Sequence, residues 1–218
     1  MGDVVLSGAA LSRRYGDVVA LSRVDVAARA GELTAIVGPS GSGKSTLVRL
    51  LGCAERPDDG SVVVAGDEVQ GASARRRRAL RRRTLASVVA EPIANLLRDR
   101  DAAANLRAMA RWRGVPVDVE AALAAVGLGG RAAARVPELS GGEQQRLGLA
   151  VATVGAPVAV LADEPTAELD RAAGALVVDV LRGLAASGTA VVVATHDPEV
   201  VAAADVVVRL DHGRVVPA

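Results

Sequence analysis

Thr34-Ala35-Ile36-Val37-Gly38-Pro39-Ser40-Gly41-Ser42-Gly43-Lys44-Ser45-Thr46 decides the fold. Thr34 to Val37 is an apolar run of the buried-strand kind. Gly38 to Ser45 matches the pattern G-x-x-x-x-G-K-[ST], and Ser45 to Leu51 reads as a helix. Strand, glycine-rich loop and helix in that order form a cradle for phosphate. The glycines let backbone N–H groups converge on phosphate oxygens, and the helix N-terminus adds the positive end of its dipole. In this pattern Lys44 reaches the β- and γ-phosphates, and the Ser45 hydroxyl ligates Mg²⁺. Gly38, Pro39, Ser40, Gly41, Ser42, Gly43, Lys44, Ser45 and Thr46 are therefore the expected phosphate-binding residues.

Composition supports a special role for this loop. Of 26 cationic side chains only Lys44 is a lysine, and Tyr15, Trp112 and Cys53 are each alone of their type. Arginine has replaced lysine everywhere except where a compact ammonium on a flexible stem is needed. Half of the 218 residues are hydrophobic and 23% are charged, as in an ordinary globular chain. One cysteine makes no intramolecular disulfide, which fits a reducing compartment. A net charge of +1 gives no global field for nucleic acid. Met1 to Ala10 shows no basic start before an apolar run, so no signal peptide is expected. The longest uncharged stretch, Leu147 to Ala162, is too short to span a bilayer and carries Gly148, Gly155 and Pro157. It reads as a helix end, a turn and a buried strand.

Outward from the loop, Val4 to Ala28 reads as short alternating strands, and Ser61 to Gly66 as a strand entering a turn. Ala72 to Arg83 is a strongly basic helix, followed by a strand over Ala86 to Val89. Residues Glu91 to Glu138 form an alanine- and arginine-rich helical insert broken at Gly114-Val115-Pro116 and Gly127 to Gly130. A helix from about Gly142, the strand Val158 to Ala162, a helix through Leu184, the strand Ala190 to Thr195 and a strand pair near Val206 to Val216 complete the chain. Strands alternating with helices predict a parallel α/β core.

The run Val158-Ala159-Val160-Leu161-Ala162-Asp163-Glu164 is an apolar strand ending in two acids. The carboxyl end of a strand is where an open α/β sheet places its ligand. Asp163 suits a Mg²⁺ partner, and Glu164 suits a base that polarises an attacking water.

Leu139-Ser140-Gly141-Gly142-Glu143-Gln144-Gln145-Arg146 resembles the signature of ABC-type ATPases. The order of motifs agrees along nearly the whole chain: Tyr15, the phosphate loop, the signature, Asp163-Glu164, Glu168-Leu169-Asp170 and His196. Leu161 to Thr166, with the signature, is most similar to the lipoprotein-release and macrolide-export type. The resemblance implies a P-loop NTPase (RecA-like) parallel-sheet core with an N-terminal antiparallel β subdomain and an α-helical subdomain. A single domain over 1–218 is expected, with the helical subdomain at 91–138 and the remainder at 1–90 and 139–218.

The resemblance further implies a head-to-tail dimer with a second copy of the chain. Each ATP would lie between one phosphate loop and the partner's signature, where Ser140, Gly141, Gly142 and Glu143 open a helix and offer a second anion cradle. It makes Asp170 the matching residue of a loop that crosses the dimer interface, His196 a contact to the γ-phosphate, and Tyr15 a platform for adenine. His212, in Asp211-His212-Gly213-Arg214, reads as a plain turn residue.

The sequence departs from the family pattern at Ala90, where the family places a glutamine. Glu91 follows, and a carboxylate there could ligate Mg²⁺ in its place. Arg75 to Arg78 and Arg81 to Arg83 form the densest basic run. Without interleaved aromatics it reads as a solvated helix face rather than a nucleic-acid or lipid patch. Trp112 reads as packed core within the insert, and Cys53 as a small buried residue.

The function implied is Mg²⁺-dependent ATP hydrolysis driving a separate integral membrane permease. That places the chain in the cytoplasm, peripheral on the inner face of the membrane, with no nucleic-acid partner. The alternative is an ABC-type ATPase that signals mechanically to a membrane protein without transport. Soluble repair or translation ATPases are the third class. Their long coiled coils or fused ATPase pairs do not fit this length.

Overall fold

The computed structural model describes residues 2–89 and 91–217. Two sheets organise it. The first is antiparallel, in the order β2-β1-β4-β5, from β1 (Val4–Tyr15), β2 (Val18–Arg29), β4 (Asp59–Val64) and β5 (Asp67–Glu68). The expected short strands at Val4 to Ala28 are instead one long hairpin. Register shifts near Gly8/Leu11 and Leu11/Arg13 break its alternation, which made it look like shorter pieces. The hairpin turns at Gly16, whose φ of 57° favours glycine.

The second sheet has the order β10-β9-β3-β8-β7-β6. Its strands are β3 (Leu33–Val37), β6 (Leu85–Val88), β7 (Ala159–Asp163), β8 (Ala190–Ala194), β9 (Val206–Asp211) and β10 (Arg214–Val216). All pair in parallel except β10, which is antiparallel to β9 at the edge. β3 and β8 are buried along their whole lengths, as near-continuous Val/Ala/Ile runs require when both faces are covered.

Helices cover both faces: α1 (Lys44–Leu51), α2 (Ala74–Thr84), α3 (Ala102–Arg113), α4 (Val119–Ala124), α5 (Gly141–Thr153), α6 (Arg171–Ala186) and α7 (Pro198–Ala203). One core gathers Leu47, Leu50, Ile36, Leu161 and Val192 beneath the antiparallel sheet. The other gathers Leu106, Leu123, Leu147, Val160, Val177 and Val191. The long uncharged stretch is, as expected, the end of α5, a turn and β7. Between β6 and α5 lie α3 and α4, so the insert is helical as read, with Gly114 capping α3 at φ 74°.

Trp112 is not packed core: it is 49% exposed. The inner face of α3 is taken by Ala102, Ala103, Asn105, Leu106, Ala110 and Arg113, and Trp112 falls at its edge, one i+7 step from Asn105 at the end of the helix. Cys53 is buried and His212 is an exposed turn residue, as read.

Candidate nucleotide site

Strand order places the site. The carboxyl ends of β3, β8 and β7 lie side by side, so the loops that leave them converge at one edge of the sheet. β3 delivers the phosphate loop, β8 delivers His196, and β7 delivers Asp163 and Glu164.

The loop is held from behind. Cβ atoms at Gly38 and Gly43 would collide with the carbonyl oxygens of Leu210 and Ala20. At Gly41 (φ 78°) a Cβ would meet nothing within 4 Å, so that side is open to a ligand. The Ser42 carbonyl accepts from the Gly213 N–H at 3.0 Å, and the Ser22 N–H donates to the Gly213 carbonyl at 2.8 Å. Gly213 thus ties the turn between β9 and β10 to both the loop and β2. This brace was missed in the sequence, and no local signal marks a partner so far along the chain.

Lys44 is 9% exposed. Its ammonium donates to the carbonyls of Gly38 at 2.9 Å and Pro39 at 3.1 Å. A buried ammonium needs such acceptors. The Ser45 hydroxyl donates to Asp163 Oδ1 at 3.0 Å. The Thr46 hydroxyl accepts from Arg49 at 3.3 Å. Helix α1 opens at Lys44, so the N–H groups of Lys44, Ser45 and Thr46 lack intrahelical acceptors and face outward for an anion.

Glu164 sits at φ 49°, a left-handed conformation uncommon for a side chain with a Cβ. Its N–H donates to the Ala194 carbonyl at 2.8 Å, which turns the chain at the end of β7. Its carboxylate meets His196 Nδ1 at 3.0 Å. Six other non-glycine residues among the described ones share a positive φ, so at Glu164 this conformation serves to aim the carboxylate toward the loop after β8. The Thr166 hydroxyl donates to Asp197 at 2.6 Å, joining the loops after β7 and β8. That link was also absent from the sequence reading.

Tyr15 ends β1 at the surface and is 38% exposed. Its hydroxyl donates to Glu55 and accepts from Arg49 at 3.4 Å. Arg13 lies over the ring, 4.8 Å from its centroid. Through Arg49, which also reaches Thr46, the structure brings Tyr15 to the start of α1.

Ser140 caps α5, accepting from the Glu143 N–H at 3.3 Å, while Glu143 accepts from the Ser140 N–H at 2.9 Å. This reciprocal capping box fixes the helix start. The Ser140 N–H, followed by Arg131, holds the Glu143 carboxyl below its ordinary value. Ser140 and Gly141 are exposed, and Gly142 is buried. A Cβ on Gly142 would lie 2.7 Å from the Ala173 Cβ, so only glycine lets α5 approach α6 here. Asp170 caps α6, accepting from the Ala173 N–H at 2.8 Å. Among the described residues no hydrogen bond joins the signature to the phosphate loop of the same chain.

Glu91 is exposed, and its carboxylate meets Arg98 at 3.5 Å. No hydrogen bond connects it with Ser45 or Asp163. Ala90 lies outside the described residues. Among the described residues no group of three or more His, Cys, Asp or Glu side chains is arranged to hold a metal by itself.

A family model described as ABC transporter matches residues 21–167. The chain belongs to the ABC transporter family. The ABC chain is 42% identical over 201 residues to the macrolide export ATP-binding/permease protein MacB 1/2 of Paracoccus denitrificans, covering 90% of this chain and 30% of that protein. It therefore spans about a third of the length of the macrolide-export relatives it matches. With the lipoprotein-releasing system ATP-binding protein LolD of Shewanella oneidensis it shares 40% identity over 223 residues, 98% of this chain and 96% of that protein. A solved ATP-binding cassette, dimeric in a post-hydrolysis state bound to ADP and Pi, superposes with a TM-score of 0.85 at 27% identity, covering 97% of both chains. A second dimeric structure of that same bacterial ABC transporter cassette gives a TM-score of 0.86 at 28% identity, again covering 97% of both chains. The chain is thus similar to the ATP-binding parts of the lipoprotein-release and macrolide-export relatives. No helix among the described residues is long and apolar enough to cross a membrane.

Proposed function

We propose that this ABC ATPase binds ATP with Mg²⁺, hydrolyses it as a head-to-tail dimer and thereby drives a membrane-spanning permease. The observation that carries the reading is the convergence of Lys44, the Ser45–Asp163 pair and the Glu164–His196 pair at the ends of three adjacent strands.

Phosphoryl transfer to water asks a protein mainly for positioning and charge neutralisation. Lys44 turns its ammonium from the Gly38 and Pro39 carbonyls toward the β- and γ-phosphates, which are stronger acceptors. The free N–H groups at the start of α1 bind the same phosphates. Ser45 and Asp163 offer a neutral and a charged oxygen 3.0 Å apart, hard donors that fit Mg²⁺. When bound, Mg²⁺ supplies neutralisation of phosphate charge. Glu164 accepts a proton from the attacking water, and His196 holds that carboxylate and meets the γ-phosphate. Tyr15 offers the uncovered face of its ring to adenine.

The exposed Ser140 and Gly141 at the start of α5 make no hydrogen bond to the phosphate loop of their own chain, although Ser140 caps the helix with Glu143. They suit a phosphate held in a partner copy, with Glu143 and Asp170 keeping the two helix starts in shape. Glu91, facing Arg98, is the weakest member of the proposed metal set. The dimeric assembly of the one solved cassette, seen in two structures, and the permease named in the macrolide-export relatives support the partners proposed.

Titration with a fluorescent ATP analogue tests the loop assignment. Lys44→Ala is expected to weaken binding at least tenfold and abolish turnover. Unchanged affinity and turnover would overturn the proposal.

A further inference from the structure

Helix α2 carries seven arginines and no acid, and none of its side chains is buried. Arg76 meets Asp67 at 3.3 Å. Among the described residues Arg75, Arg78, Arg82 and Arg83 meet no carboxylate. Those four share one face, since 75, 78, 79, 82 and 83 follow helical spacing. Like charges so placed destabilise a helix. An external anion would relieve that repulsion.

The sequence lacks aromatics within this basic run, but the structure supplies one from α3. Arg75, Arg78, Ala79, Arg82, Arg83 and Trp112 line a concavity of about 270 Å³. Trp112 is the chain's single tryptophan and half-exposed. A tryptophan beside arginines is the side-chain pair that settles at a membrane–water boundary, with its ring among headgroups. The whole chain carries only +1, so this face is a local positive field on a nearly neutral molecule.

We propose that the arginine face of α2, with Trp112, docks on the anionic headgroups of a phospholipid bilayer. A bilayer fits better than a folded acidic partner. Mobile headgroups can each find a guanidinium along an exposed helix of roughly 16 Å, whereas α2 offers no buried anchor for a shaped partner. A nucleic-acid track fits less well, because one ring gives one stacking platform. The inference stands apart from ATP hydrolysis, since it concerns the full chain on lipid without nucleotide.

Trp112 is its own reporter. The full chain is mixed at low salt with phosphatidylcholine vesicles holding about 30 mol% phosphatidylglycerol, and with pure phosphatidylcholine vesicles. The anionic vesicles are expected to shift Trp112 emission to the blue and to sediment the protein, less so as salt rises. Arg78→Glu with Arg82→Glu is expected to lower the partition coefficient by at least about 25-fold, from about a fivefold loss for each arginine removed. Arg78→Lys with Arg82→Lys retains binding. ATP turnover in detergent-free solution stays at the wild-type value in both. Four results would each overturn the proposal. They are equal uptake by neutral vesicles, equal uptake of the charge-reversed variant, the full Trp112 response to inorganic phosphate alone, and tighter binding of a single-stranded oligonucleotide or of polyglutamate than of the anionic vesicles.

Discussion

His196 Nδ1 lies 3.0 Å from Glu164 Oε2, and the His196 N–H faces the same oxygen at 3.4 Å. The pair exists because β7 and β8 run parallel with Asp163 opposite Ala194. That register carries both residues just past the sheet edge. The left-handed turn at Glu164 then points its carboxylate toward the loop after β8.

His196→Ala removes one support of that carboxylate and one contact to the γ-phosphate. Turnover is expected to fall about a hundredfold, within the usual range for loss of a positioned group. ATP affinity should change by only a few-fold, because Lys44 and the loop N–H groups remain. Steady-state turnover and equilibrium nucleotide binding, measured on the same preparation, check the split.

Gly142 sets the distance between the signature helix and α6. Gly142→Ala forces a Cβ to within 2.7 Å of Ala173 Cβ. The overpacking is expected to cost about 1–3 kcal/mol, or roughly 2–4 °C of melting temperature per kcal/mol in a chain this size. Gly141→Ala is the control, since its nearest neighbour outside the helix, Leu169, is 3.9 Å away. Thermal unfolding of the two variants should separate them. Equal melting temperatures would show that the close approach does not depend on that glycine.

Burial pushes the Cys53 thiol up to about 11 from an ordinary 9.0. The folded state then favours the neutral thiol. The associated stability is present below pH 9 and is lost as pH rises toward 11. At pH 7.5 alkylation by iodoacetamide should be slow in the native chain and fast in denaturant. Mass spectrometry reads both, and comparable rates in the two states would refute the burial.

Legibility in the sequence followed how local each cause is. The phosphate loop could be read because its glycines answer to backbone collisions and to the phosphate, and Lys44 to charge. The capping box at Ser140 and Glu143 could be read because it spans one helical turn. The β1–β2 hairpin was read as fragments because its bulges interrupt the two-residue period. Trp112 was misplaced because α3 is so rich in alanine and arginine that its apolar stripe is weak. The brace from Gly213 to Ser42, and the Thr166–Asp197 link, join segments that meet only when the sheet assembles. The arginine face of α2 was visible, but the ring that completes it comes from another helix.

In the proposed function Glu164 activates water beside a nucleotide held between two copies of this chain. The most direct measurement is Mg²⁺-dependent turnover and solution mass of Glu164→Gln with excess ATP. Turnover is expected to fall by about 10²–10⁴-fold, with a stable dimer retaining ATP. A Glu164→Gln chain that hydrolyses ATP at the wild-type rate and remains monomeric would contradict the proposed function.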